Sequence, residues 1–339
     1  MEQACGESRK AEPARSLDRL DRAHPFLLLT AIGAGLVLAH AAPAFAKTLA
    51  PLVTAGVFVV IYLIMLGVSL SGVMHAFARW MPTTLAIGIN FLITPLIAWA
   101  LGFVFLQDDP DVWVGLILYL VTPCIGWYLV FTELARGDVE LGVSLLFWNV
   151  ALQIVLLPVY MTLLAATVVH VDFADILSSV LVFLVLPLGF AGLTRWLLDR
   201  LDVPIEVAQR KIALPYLKAS TLMIVITAMF ATQGAVLFDN PAVVLKMILP
   251  GLAYFALAFV MALTAARIFG LTYPEFALLV FTTAARNSEA SLAIAVTAFA
   301  SPLVALTVVI GPSIELPVLI VLLRVVLWIR RRSWFAAGT

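Results

Sequence analysis

Ten runs of roughly twenty apolar residues constrain this chain more than any other feature, because a helix needs about 20 such residues to cross the hydrocarbon core of a bilayer. They fall at 26–46, 50–72, 83–106, 112–135, 139–167, 174–198, 212–236, 242–268, 275–299 and 303–329. The loops between them are short, and the one extended polar connector, Arg195–Lys211, follows the sixth run. Of the 339 residues, 63% are hydrophobic and 12% charged, against about 45–50% and about 25% in a soluble domain. That excludes a soluble globular fold, and it excludes a disordered chain, which would be polar and rich in charge. Twenty Lys and Arg balance twenty Asp and Glu, so the chain lacks the positive excess of a nucleic-acid binder. It reads as an all-α integral membrane protein of ten transmembrane helices, with the lipid bilayer as a partner.

Basic residues orient such a bundle, because cytoplasmic loops carry the excess of Lys and Arg. Residues 1–24 hold Arg9, Lys10, Arg15, Arg19 and Arg22. This segment is too long and too acidic for the charged start of a secretory signal, and it reads as a cytoplasmic tail. With it inside, the even loops and a second cytoplasmic tail at 331–339 also fall inside, and this face gathers fifteen of the twenty basic residues. Outside are only Lys47 and Lys246, beside the acidic loop Gln107–Asp111. The expectation is an inner-membrane protein with both termini cytoplasmic. The connector divides the ten-span region 25–330 into halves of five spans, about 25–167 and 174–330. An odd number of spans gives the halves opposite topology, as in inverted-repeat transporters. Trp80, Trp113 and Trp196 lie near span ends, where an aromatic belt would place them.

Ionisable residues at membrane depth need a reason, since each costs about 2.5–3.5 kcal/mol on insertion scales. Lys218 and Arg324 are close enough to span ends to snorkel to the headgroups. Arg286, Glu289 and Glu315 are deep, and helical spacing would put Arg286 and Glu289 on one face of the ninth span. They form either an internal ion pair that ties spans 9 and 10 together, or a polar cavity in which a carboxyl exchanges a proton or cation. Opposed effects of burial and a neighbouring Arg can leave a carboxyl able to do this near neutral pH. Span 4 carries Pro123-Cys124-Ile125-Gly126, which is either an ordinary proline kink or a break that exposes half-helix ends to a solute. Span 10 carries Gly311-Pro312 and Pro317 around Glu315, a second place for a break, whereas span 9 has neither Pro nor Gly at 284–289. Cys124 is either a small buried apolar residue or a soft ligand for a thiophilic solute. Asn149 and Gln153, at i and i+4 in span 5, either line a cavity or bond between helices. No phosphate-binding loop is present. His24, His40, His75 and His170 have no metal-site spacing, so neither an enzyme, a cofactor nor a metal is expected.

Three segments carry a family resemblance. Thr122-Pro123-Cys124, running to Leu134-Ala135-Arg136-Gly137-Asp138 and on to Asn149 and Gln153, is the first. Asn287-Ser288-Glu289 before Leu292-Ala293-Ile294-Ala295 is the second, and Gly311-Pro312-Ser313-Ile314-Glu315-Leu316-Pro317 the third. Together they resemble the bile acid/sodium symporter superfamily, and within it the arsenite-efflux permease branch. The resemblance covers about residues 25–330. It implies ten helices in a panel and a core domain, with discontinuous helices 4 and 9 crossing near the midplane. It implies that Cys124 and Glu289 match the branch's thiol and carboxylate. On that basis Cys124, Asn149 and Asn287 are expected to bind solute, and Glu289, Arg286 and Glu315 to couple protons. Pro123, Gly126, Gly311 and Pro312 are expected to mark helix breaks. The implied function is efflux of arsenite, As(III), with Sb(III) as a second cargo, driven by inward proton movement. The branch usually has Arg-Cys where this chain has Pro123-Cys124, and Asn where it has Arg286. In the sodium-coupled branch, two sodium ligands align with Tyr128-Leu129 and two more with Thr282 and Arg286. Leu129 offers no ligand, and Arg286 would repel a cation. The alternative is therefore an organic-anion transporter without intact sodium sites, in which Arg286 pairs with the anion.

Overall fold

A computed structural model describes residues 30–67, 79–168, 181–205, 213–239 and 241–332, together with Leu27, Ala174, Leu177, Ser178, Val207 and Gln209. The N-terminal tail, the residues after Arg332, much of the connector, and His24, His75 and His170 lie outside the described residues. The described chain is helical, and no strand occurs in it. Its helices are α1 Thr30–Ala41, α2 Pro43–Thr48, α3 Ala50–Gly67, α4 Trp80–Phe105, α5 Pro110–Leu120, α6 Trp127–Leu134 and α7 Val139–Ala165. After these come α8 Leu186–Arg200, α9 Leu214–Asp239, α10 Pro241–Ile268, α11 Tyr273–Ala284, α12 Ser288–Ala298 and α13 Pro302–Arg331. Four of them, α4, α7, α10 and α13, are long and apolar enough to cross a membrane. The fourth and ninth apolar runs are each split into two shorter helices, α5–α6 and α11–α12.

The chain forms two compact units, each drawing on both halves of the sequence. The first comprises Met1–Gly56 and Leu198–Ala235. Within it, Ala31, Gly35 and Ala39 recur every four residues on one face of α1 and are buried. A Cβ on Gly35 would meet the Thr227 carbonyl and the Phe230 Cβ of α9. Small residues at this spacing let two helices approach closely, which replaces the hydrophobic drive that lipid cannot supply. The Thr227 hydroxyl donates to the Ala31 carbonyl at 3.3 Å across the same contact.

The second unit comprises Val57–Leu197 and Val236–Thr339 and holds Cys124, Asn149, Gln153, Arg286, Glu289 and Glu315. A proline leaves the carbonyl four residues before it without its helical donor, and at Pro95 a side chain fills the gap. Pro95 cannot bond to the Phe91 carbonyl, so the Tyr160 hydroxyl of α7 donates there instead. The same stretch of α4 widens into a π turn, Ile89–Ile93, which carries Asn90. By contrast α13 runs uninterrupted through Gly311, Pro312 and Pro317. The break expected at Gly311-Pro312 is absent: one lost hydrogen bond per proline does not end a 30-residue helix held among buried neighbours. Gly311 instead makes room, since a Cβ there would lie about 2.5 Å from the Tyr119 ring.

Polar contacts gather at the two ends of this unit. At one end Arg79 pairs with Glu275 at 2.6 Å, the Tyr273 hydroxyl donates to the Ala135 carbonyl at 2.7 Å, and Arg330 lies over the Tyr273 ring. At the other, Lys246 pairs with Asp109, and the Ser301 hydroxyl donates to Asp111 at 2.6 Å. Trp80 is exposed, as a belt residue should be, but Trp113 is buried against Trp99 and Phe103.

Candidate substrate and coupling site at two helix breaks

The first break follows from its sequence. Pro123 cannot donate to the Tyr119 carbonyl, and the Thr122 hydroxyl takes that carbonyl at 2.9 Å. The helix stops at Leu120 and resumes at Trp127. Cys124 lies between, 3% exposed. Its sulfur accepts from the backbone N–H of Trp127 at 3.1 Å and of Gly126 at 3.4 Å, at the start of α6. Pro123 and Gly126 thus lie inside a true interruption rather than at a kink.

The second break has no Pro or Gly, and is built by partners from elsewhere in the unit. The Arg286 N–H leaves the helical ladder for Glu315 Oε1 of α13, at 3.0 Å. The carbonyl it vacates, Thr282, accepts from Asn90 Nδ2 at 3.1 Å. The next, Thr283, accepts from the Tyr254 hydroxyl at 2.7 Å. Asn287 then restarts the helix as N-cap, its Oδ1 accepting from Ala290 N–H at 3.1 Å. An Asn cap inside an apolar run is a helix-start signal, but the sequence reading expected this break only from the family resemblance.

The two breaks join. Cys124 N–H donates to the Ala285 carbonyl at 3.1 Å, and Asn287 N–H to the Thr122 carbonyl at 2.8 Å. Pro123 and Arg286 form a single antiparallel bridge. Backbone at membrane depth must be satisfied inside the protein, and here each break satisfies the other. Ser291 and Thr122 bond through their hydroxyls across the same junction.

Arg286 therefore stands in the break and not on a helix face with Glu289, because its N–H is diverted to Glu315. Glu289 occupies the second position of α12, and its side chain lies outside the described residues. The Arg286 side chain, 1% exposed, donates to the carbonyls of Leu120 (2.9 Å) and Thr283 and to Asn90 Oδ1 (3.2 Å). Glu315 is 3% exposed, and its second oxygen accepts from the Tyr119 hydroxyl at 2.5 Å. Asn149 Nδ2 donates to the Cys124 carbonyl at 3.4 Å. Each break is thus held by a polar residue of the long helix that follows it, Asn149 of α7 and Glu315 of α13. The Tyr128 hydroxyl, aligned with a sodium ligand, is spent on the Gly142 carbonyl at 2.6 Å.

Several buried polar atoms here have no hydrogen-bond partner among the described residues: both amide atoms of Gln153, Asn287 Nδ2, Thr282 Oγ1 and Arg286 Nε. Native interiors leave few such groups. Asn90, Tyr119 and Tyr254 are the contributors that the sequence reading passed over. Asn90 carries a cue, an amide within an apolar span; the tyrosines carry none.

Many secondary transporters build their substrate site from discontinuous helices that meet near buried polar groups. The model of the Sodium Bile acid symporter family matches residues 54–240, more than half of the chain. The chain belongs to that family, and so is a membrane transporter of small solutes. Among its relatives is the arsenical-resistance protein Acr3 of Corynebacterium glutamicum, 28% identical over 94% of this chain and 92% of that protein. The uncharacterized protein YbaS of Bacillus subtilis is 28% identical over 70% of this chain and 76% of that protein.

Proposed function

We propose that this transporter exports arsenite, with antimonite as a second cargo, in exchange for protons. The observation that carries the reading is the placement of Cys124. Its thiol is buried in one helix break and held by two N–H groups, and the same unit buries the unpartnered polar atoms of Asn287 and Gln153. Arsenous acid is largely neutral at pH 7, so it needs a soft ligand rather than a countercharge. The thiol displaces one hydroxyl of As(OH)3 with release of one water, forming a single S–As bond. Hydrolysis on the other face restores the thiol and the acid. One sulfur contact lets the cargo leave, whereas three would trap it. Near-full-length similarity to an arsenical-resistance protein supports the cargo.

Asn149 and Asn287 orient the hydroxyls of the solute, Glu289 carries the proton, and Arg286 and Glu315 set its electrostatic surroundings. The chain spans the inner membrane ten times, in two inverted halves with both termini cytoplasmic. In support, loops assigned to one face meet one another, Arg79 with Glu275 and Lys246 with Asp109. Organic-anion transport is disfavoured, because the Arg286 guanidinium already serves three oxygens and is almost unexposed.

Everted vesicles test this. Arsenite uptake should follow an inside-acid proton gradient and not a sodium gradient. Cys124→Ser and Glu289→Gln should each cut it about tenfold or more, ~1.4 kcal/mol of lost transition-state stabilisation. Uptake that survives both substitutions, or sodium-driven uptake of an organic anion, overturns the reading.

A further inference from the structure

The buried guanidinium of Arg286 is bound by an unusual set of partners. A buried arginine is normally matched by a carboxylate in a two-pronged pair. Here the guanidinium donates to neutral oxygens from three separate segments: the Leu120 carbonyl, the Thr283 carbonyl and Asn90 Oδ1. Leu120 is the last residue of α5 and Thr283 lies in the last turn of α11. Aligned peptide dipoles leave partial negative charge at such ends, which favours a cation. Asn90 reaches in from the π turn of α4, and π turns recur at functional positions. The Tyr254 ring faces the guanidinium carbon at 5.1 Å, a further attraction for positive charge. Carbonyl and amide oxygens that converge on half-helix C-termini form the ligand set that takes a monovalent cation from water. The compensating charge is close by, for Glu315 accepts from the N–H of the same residue.

We propose that this oxygen cage is a monovalent-cation site that the chain fills with its own Arg286 side chain. The positive charge at the joined breaks is thus tethered and not drawn from solution. Arg286 is then the residue that decides which ions the protein responds to. With it in place, external sodium has no seat there. With it removed, the three oxygens lose their cationic partner, and the emptied cage admits a free cation. The inference goes beyond the arsenite reading and holds whichever solute is carried.

The test uses the full chain in detergent and reads thermal unfolding, so it does not depend on transport. Wild type, Arg286→Gln and Arg286→Lys are melted in sodium chloride, low-millimolar guanidinium chloride or choline chloride at constant ionic strength. Wild type and Arg286→Lys should melt alike in sodium and choline. Arg286→Gln should melt lower in choline and regain about 4 °C or more, saturably, with sodium or guanidinium. Recovery of folded Arg286→Gln only when one of those cations is present throughout purification also supports the proposal. It is overturned if Arg286→Gln responds to neither cation, or if it is lost in all three salts. It is overturned equally if the midpoint follows pH instead, meaning that Glu315 takes a proton, or if wild type shows the same saturable sodium response.

Discussion

Tyr119 shows how much one side chain can hold at this depth. It sits one residue before the end of α5, and its hydroxyl reaches Glu315 of α13 at 2.5 Å. Tyr119→Phe removes this hydrogen bond to the carboxylate and should lower stability by about 1.5–3 kcal/mol, read from unfolding midpoints in detergent. Gly311→Ala should act through the same bond, because its methyl would meet the Tyr119 ring and push the hydroxyl away. A double-mutant cycle checks this: the pair should cost clearly less than the two single changes summed, with a coupling of about 0.5–3 kcal/mol. Additive costs would show that Gly311 serves only close approach of the helices. At this scale the sequence reading was uneven. Arg286, Cys124 and Glu315 stood out because charge or a thiol inside an apolar run is conspicuous. Tyr119 and Tyr254 did not, because a tyrosine in a span looks like any other aromatic until the partner of its hydroxyl is known.

At the level of elements, the contrast between the two breaks explains what was legible. The first is written locally: Pro123 removes a donor, and Gly126 tolerates the backbone that follows. The second is written at a distance, by Glu315, Asn90 and Tyr254, which take over the hydrogen bonds that residues 282–287 give up. No local pattern of Pro or Gly reports such an exchange. The same reasoning accounts for α13, where Pro312 and Pro317 suggested a break that a well-packed long helix absorbs. Helix starts carry a local signal that the sequence reading did not use. Asp138 caps α7, accepting from Leu141 N–H at 3.0 Å, while its own N–H bonds the Pro274 carbonyl. Asp138→Ala should cost about 0.5–2 kcal/mol of stability. Asp138→Asn, which keeps the acceptor, should restore most of it, whereas a loss of equal size in both variants would assign the effect to charge.

Over the whole molecule, apolar run length identified the membrane class and charge counting assigned faces to the loops. Contacts at the two ends of the second unit agree on which loops belong together. Impermeant thiol labelling tests which face is which. In intact cells Asp108→Cys, beside the Asp109–Lys246 pair, should label at once. Arg331→Cys, at the end of α13, should label only after the membrane is opened. The reverse order would invert the proposed topology while leaving the fold untouched.

The joined breaks also bear on how the protein is made. Thr122 and its partner Asn287 are 165 residues apart. At a ribosomal pace of about 5–20 residues per second, the earlier segment is complete roughly 8–30 s before the later one exists. Throughout that interval Thr122 and Cys124 have backbone groups in or near the bilayer whose final partners have not been synthesised. Unsatisfied groups there cost several kcal/mol each. The nascent first half must therefore shelter that stretch against water, lipid headgroups or the insertion machinery until the second half arrives to close it. Biogenesis, more than the finished fold, is where substitutions at residues 120–126 should first be felt.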